Sequence, residues 1–375
     1  MKLADFINRI PMYYQMSAED DGLSVHLEGG PGRGKTSAMR KAPALTEAKF
    51  PELAKKGVGL VIVNGTNVSL TTMTGYLWPV EIDGVAHSRF TKPDWWCKTY
   101  NSKGEFVGLP LEAFDAGYIF VDEADKMPLD EKKILGDARL SKIFASHRLP
   151  PGWVVWSAGN RAKDRAGSTK EFDHDINRQM RLNISDDLQG LAAFMREIGC
   201  LPEVIHFAEE HPEIVFPDGP PEVQGPFCTP RSLCAADAKL QGQMEYEGTS
   251  EIPMDPTTVE ELNGIIGAGA AAQLAVSIKL GQELPSYEEI IKAPKTIRIP
   301  TRADARGLAC MKLARQVEAK DAPAVIDYVT RLGDEFAVIF AKDAIARDRK
   351  FVNLPAFRAW AMKNASLVSI IGVLK

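Results

Sequence analysis

A glycine-rich stretch near the start of the 375-residue chain has the spacing of a phosphate-binding loop. The pattern G-x-x-x-x-G-K-[ST] is matched in full by Gly29-Gly30-Pro31-Gly32-Arg33-Gly34-Lys35-Thr36. A predicted strand, residues 23–27, precedes the stretch, and a predicted helix, residues 36–49, follows it. Glycines let backbone N–H groups point at phosphate oxygens, and a helix N-terminus attracts anions. We therefore expect residues 30–36 to bind nucleotide phosphates.

Lys35 and Thr36, at the end of this stretch, have distinct expected roles. The ammonium of Lys35 would contact the β- and γ-phosphates, and the hydroxyl of Thr36 would bind Mg²⁺. A glycine-rich turn with a coincidental lysine is the alternative. The strand before the motif and the helix after it favour the phosphate loop.

Two adjacent carboxylates, Asp122 and Glu123, directly follow the apolar run 118–121. At the end of a buried strand, Asp122 can hold Mg²⁺ through water, and Glu123 can orient and activate an attacking water molecule. A solvated acidic turn after a core strand is the alternative, which the upstream phosphate loop disfavours. Together the two motifs indicate hydrolysis of a nucleoside triphosphate.

Three further polar residues could complete such a site. Asn160 ends the apolar run that begins at Trp153, where it could position the water beside Glu123. Arg178 lies at the end of a predicted helix, from which an arginine can reach the γ-phosphate of a neighbouring subunit. Arg231 begins a helix in the second half of the chain. Each signal is weak alone, because asparagine and arginine are common on surfaces.

The elements that must position these residues change in character along the chain. As far as about residue 190, short apolar runs alternate with helical stretches, which is typical of a parallel sheet covered on both faces. Five strands are predicted, at residues 23–27, 60–64, 118–121, 153–157 and 180–184. His26 lies within the first of them and is expected to be a core histidine.

From Asp186 onward, apolar residues recur at helical spacing. Helices are predicted at 188–198, 259–280, 303–317, 322–346 and 356–373, with loops at 215–226 and 292–300. The second half of the chain is therefore expected to be helical.

Composition limits the function classes. The chain has 45 Lys and Arg against 50 Asp and Glu, a net charge of −5, whereas extensive contact with nucleic-acid phosphates favours a basic protein. The five cysteines form no C-x-x-C pair, which argues against metal clusters and disulfide scaffolds and fits a reducing compartment. No signal peptide or membrane span is recognised, so we expect a cytoplasmic protein.

The motifs resemble those of the AAA+ ATPases, and among them the MoxR-like, dynein-related branch. The resemblance covers roughly residues 1–240 and is carried, in the family's order, by GGPGRGKT, IFVDEADKMP, LPPGWVVWSAGNRAKDRAG, INRQMRL and FCTPRSL. It implies an α/β P-loop core with a five-stranded parallel sheet in the order 5-1-4-3-2, followed by a helical lid. It also implies Mg²⁺-dependent hydrolysis of ATP, in rings that are typically hexameric and carry their sites between subunits.

The resemblance assigns each candidate residue a family role. These are Walker A for Lys35 and Thr36, Walker B for Asp122 and Glu123, sensor 1 for Asn160, the arginine finger for Arg178 and sensor 2 for Arg231. Arg181 competes with Arg178 for the finger role.

The predicted organisation has three parts. An α/β nucleotide-binding core spans residues 1–187, a helical lid spans 188–250, and a helical C-terminal extension spans 251–375. The core carries an insertion at about residues 78–117, and Glu81 to Ala86 within it is predicted to form a hairpin arm.

The insertion also contains Trp95, Trp96 and Tyr100. In the MoxR-like branch an insertion at this place usually faces the central pore of the ring, so these aromatic side chains could grip a threaded chain. Packing of both tryptophans onto the core is the favoured alternative, because aromatic side chains bury a large apolar area.

The function that these observations favour is remodelling or assembly of a protein partner by an oligomeric ATPase. The resemblance implies a partner with a von Willebrand factor type A domain. A nucleic-acid motor or loader and a slow, ATP-gated binding switch are the alternatives. The tetrapeptide DEAD at 122–125 is also found in superfamily 2 helicases, and we interpret this match as a coincidence. The basic loop 161–166 is interpreted as a solvated surface loop.

Overall fold

The computed structural model describes residues 1–19, 22–161, 176–177, 179–221 and 223–364. The chain forms two compact units, Met1–Asp187 and Leu188–Lys375. Each unit has its own hydrophobic cores. The first unit contains the glycine-rich loop and the acidic pair.

A six-stranded sheet forms the centre of the first unit. Its strands are β1 (Ser24–Glu28), β2 (Val58–Asn64), β5 (Thr99–Tyr100), β6 (Ala116–Asp122), β9 (Trp153–Gly159) and β10 (Gln179–Asn183). They lie in the order β10-β1-β9-β6-β2-β5, and all pairs are parallel except β2 with β5. The five parallel strands therefore have the order 5-1-4-3-2, as the resemblance implies.

The sixth strand is an addition to the predicted sheet. It pairs antiparallel with the edge strand, through Leu60 with Tyr100 and Val61 with Thr99. Because it has only two residues, it shows no alternating pattern from which a strand could be predicted.

Alternating side chains of the central strands pack into cores on opposite faces of the sheet. On one face, Tyr118 and Phe120 pack with α1 (Leu3–Ala18) and α2 (Lys35–Lys49). On the other face, Ile119 and Val121 pack with α4 (Leu129–Ser141), and Met73 of the short helix α3 (Leu70–Thr74) joins this core. Because both faces are covered, the carboxyl ends of the strands are rigidly held relative to one another.

The insertion contains a hairpin of β3 (Leu77–Ile82) and β4 (Val85–Phe90), whose side chains are largely exposed. A smaller hairpin of β7 (Ile143–Phe144) and β8 (His147–Arg148) follows α4. Trp95 and Trp96 lie in another part of the insertion, a 3₁₀ turn between β4 and β5. Only 6% of the surface of Trp95 and 1% of that of Trp96 is exposed. The packing interpretation therefore holds for these two tryptophans.

The described part of the second unit consists of helices and loops. The helices are α5 (Leu188–Glu197), α6 (Pro202–Glu210), α7 (Pro212–Val215), α8 (Pro230–Glu247), α9 (Pro256–Ile266), α10 (Ala268–Gln282), α11 (Tyr287–Lys292), α12 (Ala303–Gln316), α13 (Ala322–Leu332), α14 (Asp334–Arg347) and α15 (Pro355–Lys363). Among the described residues, none of the helices combines the length and the apolar character needed to cross a lipid bilayer.

Two of the predicted helices are divided. The predicted helix 259–280 breaks at Gly267, and the predicted helix 322–346 breaks at Gly333, where φ is 81° and 120°. Residues other than glycine rarely adopt such φ angles, so the helix ends there although the apolar spacing continues. The predicted helix 356–373 is described only as α15, and its end lies outside the described residues.

The helices of the second unit form two hydrophobic clusters. One contains Phe207 of α6, Leu240 of α8 and Leu274 of α10, so helices on both sides of residue 250 share it. The other contains Tyr328 of α13 and Phe340 of α14. A division between a lid and an extension at residue 250 stays a prediction.

Candidate active site

The glycine-rich loop connects β1 to α2 and is held in the geometry that its glycines permit. Gly32 and Gly34 have φ angles of 70° and 77°, in the left-handed region that favours glycine. Lys35 is the first residue of α2, and its Nζ donates hydrogen bonds to the carbonyl oxygens of Gly29 at 2.6 Å and Gly30 at 3.0 Å. The Lys35 side chain is thus folded back along the loop, and its ammonium lies against the first two residues of the motif.

Arg33, within the loop, packs closely against Gly30. Its guanidinium occupies the space in which a Cβ atom on Gly30 would stand, so a side chain at position 30 would displace the end of Arg33. The side chain of Arg33 is only 4% exposed and forms an ion pair with Asp186. Gly30 and Arg33 are therefore structural partners within the loop.

Thr36 and Asp122 meet although they are far apart in the sequence. The Thr36 hydroxyl at the start of α2 donates a hydrogen bond to Oδ2 of Asp122, at the end of β6. The two groups meet because the carboxyl ends of parallel strands lie along one edge of the sheet. A hydroxyl and a carboxylate are hard oxygen ligands, so this pair fits a Mg²⁺ ion.

Glu123, which follows Asp122, lies in a left-handed backbone conformation with a φ of 53°. Its N–H donates to Oδ1 of Asp122 at 3.0 Å, and its own carboxylate lies 3.1 Å from Nζ of Lys126. The Glu123 side chain is 37% exposed. The carboxylate is therefore accessible to water at the edge where Thr36 and Asp122 meet.

Asn160 follows β9, and its backbone is held by a residue that the sequence analysis missed. Oδ1 of Asp125 accepts a hydrogen bond from the Asn160 backbone N–H at 3.2 Å. Asp125 is 2% exposed and lies in the 3₁₀ turn after Glu123. The motif carrying this aspartate is visible in the sequence as DEAD, but only the fold reveals that its last residue faces the neighbouring strand end.

A buried polar cluster lies beneath these strand ends. His26 of β1 and Ser157 of β9 are paired in register, and Nδ1 of His26 lies 2.9 Å from Oγ of Ser157. The same hydroxyl accepts a hydrogen bond from Nη2 of Arg139 in α4, at 2.6 Å. The prediction that His26 is a core histidine is confirmed, because it is 1% exposed.

The three predicted arginines lie in different parts of the chain. Arg178 lies outside the described residues. Arg181 is on β10, where its Nη2 lies 3.5 Å from Oε2 of Glu28. Arg231 is an exposed residue in the first turn of α8, in the second unit. The finger and sensor 2 roles of these arginines stay predictions.

Comparison with known proteins gives similarity at the level of backbone only. No protein-family model matches the sequence, and no curated protein matches it. Solved structures that resemble it include NtrX from Brucella abortus in complex with ADP, with 15% identity, 97% of this chain and 67% of that chain covered, and a TM-score of 0.38. Another is a point mutant of RuvB from Thermotoga maritima, with 14% identity and a TM-score of 0.37. The match covers 80% of this chain and 92% of the RuvB chain.

The chain's own topology establishes its fold class. The glycine-rich loop follows β1, the acidic pair lies at the end of β6, and β1 is separated from β6 in the sheet by β9. Phosphate loops open a helix directly after a strand in this way. The protein has the α/β fold of a P-loop nucleotide-binding protein, followed by a helical C-terminal region.

Proposed function

We propose that this protein is a Mg²⁺-dependent AAA+ ATPase that hydrolyses ATP to ADP and phosphate. The observation that carries the proposal is the hydrogen bond from the Thr36 hydroxyl, at the end of the glycine-rich motif, to the carboxylate of Asp122. It joins the hydroxyl and the carboxylate that would bind the metal, at the edge of the sheet where the glycine-rich loop begins α2.

Each residue has a defined part in the proposed reaction. Backbone N–H groups of residues 30–36 and the Lys35 ammonium bind the phosphates, while Thr36 and Asp122 hold the metal. When bound, Mg²⁺ neutralises charge that develops on the phosphate oxygens. The oxygen of the attacking water forms a bond to the γ-phosphorus while Glu123 accepts a proton from that water. The bond between the γ-phosphorus and the oxygen that bridges to the β-phosphate breaks.

We further propose that the ATPase is of the MoxR type and works as a ring oligomer, with a hexamer as the expected assembly. The motif order along residues 1–240 supports this, as does the order of the five parallel strands. In such a ring, Arg178 would act on the γ-phosphate of a neighbouring subunit, and Arg231 would sense the bound nucleotide. Asn160 would help to position the attacking water.

Remodelling of a protein partner, including one with a von Willebrand factor type A domain, is the biological role that we propose. The net charge of −5 disfavours a role in which the protein surrounds nucleic acid. All five cysteines are free thiols, which supports a reducing, cytoplasmic setting.

Two substitutions test the ATPase proposal. Lys35→Ala should abolish binding of ATP, because the phosphates lose their principal cation. Glu123→Gln should bind ATP with near-normal affinity yet release no phosphate, because the amide cannot accept the proton. Nucleotide binding is measured by calorimetry and turnover by phosphate release.

Lys41→Ala serves as the matched control, since Lys41 is an exposed lysine on the same helix, α2. Its binding and turnover should equal those of the wild type. Normal turnover by Glu123→Gln would refute the role of that glutamate, and a wild type that binds no ATP would refute the proposed function.

A further inference from the structure

A second arginine lies beside the phosphate loop, contributed by a distant part of the sequence. Arg161 directly follows Asn160 at the end of β9. Its Nη2 lies 3.1 Å from the position that a Cβ atom on Gly30 would occupy. The sequence favours a solvated basic loop for Arg161, whereas the structure brings its guanidinium to the backbone of the phosphate loop.

The loop reaches this arginine because its first residues run beside β9. The N–H of Gly29 donates to the carbonyl oxygen of Gly159 at 3.3 Å, which fixes the start of the loop against the strand that Arg161 follows. The two segments are thus tied together one residue before Gly30 and two residues before Arg161. The position of β9 beside β1 in the sheet therefore brings the Arg161 guanidinium close to Gly30.

Three cationic side chains converge on Gly30. The Lys35 ammonium bonds to its carbonyl oxygen, the Arg33 guanidinium fills the space above its Cα, and the Arg161 guanidinium lies beside it. Asp186 forms an ion pair with Arg33 and balances part of this charge. Such a concentration of positive charge favours an anion with several charged oxygens.

The position of Gly30 in the loop indicates which phosphate Arg161 would contact. The backbone N–H groups at the N-terminus of α2, which begins at Lys35, attract the phosphates that lie over the helix axis. Gly30 lies at the other end of the loop, next to the end of β9, and Asn160 there is bonded to the turn that follows Glu123. That end of the loop is therefore the one near the proposed catalytic carboxylate.

We propose that Arg161 binds the terminal phosphate of the nucleoside triphosphate from within the same subunit and stabilises the charge that develops on it. The inference rests on the proposed ATPase function and adds a residue to it. A guanidinium suits this position because its planar donors can bind two phosphate oxygens at once. Arg161 would thereby distinguish a triphosphate from a diphosphate.

The test compares AMP-PNP, a triphosphate analogue that is not hydrolysed, with ADP, each with Mg²⁺. Arg161→Ala should weaken binding of AMP-PNP by about tenfold or more, since hydrogen bonds between charged groups are stronger than those between neutral groups. Binding of ADP should change by less than about twofold. Arg161→Lys, which keeps the charge but not the planar donors, should lie between the wild type and Arg161→Ala, and kcat for ATP should fall in the same order.

Arg148→Ala is the matched control, since Arg148 is exposed on β8. It should bind both nucleotides as the wild type does. Thermal unfolding of each variant separates a loss of binding from a loss of folding.

Two results would overturn the assignment of Arg161 while leaving the ATPase proposal intact. One is unchanged AMP-PNP affinity and kcat in a folded Arg161→Ala variant. The other is equal weakening of AMP-PNP and ADP, which would place Arg161 away from the terminal phosphate. If the wild type bound neither nucleotide, both proposals would fall together.

Discussion

At the scale of the residue, Asp125 has the clearest influence on a proposed catalytic neighbour. Its carboxylate accepts the hydrogen bond that holds the backbone of Asn160. The ammonium of Lys132 donates to the Asp125 carbonyl oxygen at 2.9 Å, which fixes the turn from the other side. Asp125 is therefore a positioning residue, acting on catalysis through Asn160.

Replacing this carboxylate should separate catalysis from binding. Asp125→Ala leaves the Asn160 N–H without its acceptor, so we expect kcat to fall about tenfold or more from misplacement of Asn160. The KM for ATP should stay within about twofold, because the phosphate loop is untouched. Steady-state kinetics at varied ATP measure both quantities.

Asp125→Asn provides the matched variant, because its amide oxygen can still accept the bond. It should restore most of kcat. An Asp125→Ala enzyme with normal kcat, or one in which KM alone changes, would contradict the positioning role.

How much of the site is predictable depends on whether contacts follow from spacing. Lys35, Thr36 and Asp122 are identifiable because their pattern is local and their meeting follows from parallel strands. Asp125 and Arg161 are not, because their positions depend on side-chain direction and on the path of the chain after each strand end. The residue pattern is the same whether or not such contacts form.

At the scale of the element, the tryptophans of the insertion lie in two different environments. Trp96 is 1% exposed, and its Nε1 donates to Oε2 of Glu112 at 2.9 Å. Trp95 packs its ring edge-on to Phe144 at 4.8 Å between centroids. Trp78, on the hairpin, is 63% exposed. The turn that holds Trp95 and Trp96 is part of the core, whereas the hairpin projects from it.

These two environments predict effects of different size on the free energy of unfolding. Trp96→Ala should lower the free energy of unfolding by about 3–5 kcal/mol, as expected for loss of a buried aromatic side chain. Trp78→Ala should change it by less than about 0.5 kcal/mol, since surface substitutions seldom do more. Urea unfolding followed by circular dichroism measures both values, and a similar effect of the two substitutions would refute the distinction.

The sequence predicts elements better than their limits. The five parallel strands are each predicted to within a few residues, because short buried runs between turn residues are distinctive. The breaks at Gly267 and Gly333 are missed, since apolar side chains recur at helical spacing on both sides and a glycine within a helical pattern is ambiguous.

At the scale of the whole molecule, the proposal depends on contacts between subunits. If Arg178 completes the site of a neighbour, the two substitutions Arg178→Ala and Glu123→Gln damage different halves of one shared site. Each variant alone should be nearly inactive. Mixing them should restore part of the turnover, because some interfaces then combine an intact Glu123 with an intact Arg178.

The measurement is phosphate release from mixtures at fixed total protein, with assembly followed by analytical ultracentrifugation. The same mixture made with Arg181→Ala assigns the finger role between the two arginines. No recovery with either arginine variant, in mixtures that assemble, would exclude action between subunits.

The backbone at Glu123 carries a consequence for the evolution of this chain. Its φ of 53° belongs to a region where residues with a Cβ other than asparagine and aspartate are disfavoured by about 1 kcal/mol or more. Selection for thermal robustness would therefore favour asparagine or glycine at position 123, whereas selection for turnover would keep glutamate. The two pressures oppose each other at a single codon, so a lineage that abandoned hydrolysis but kept nucleotide binding would be expected to drift there first.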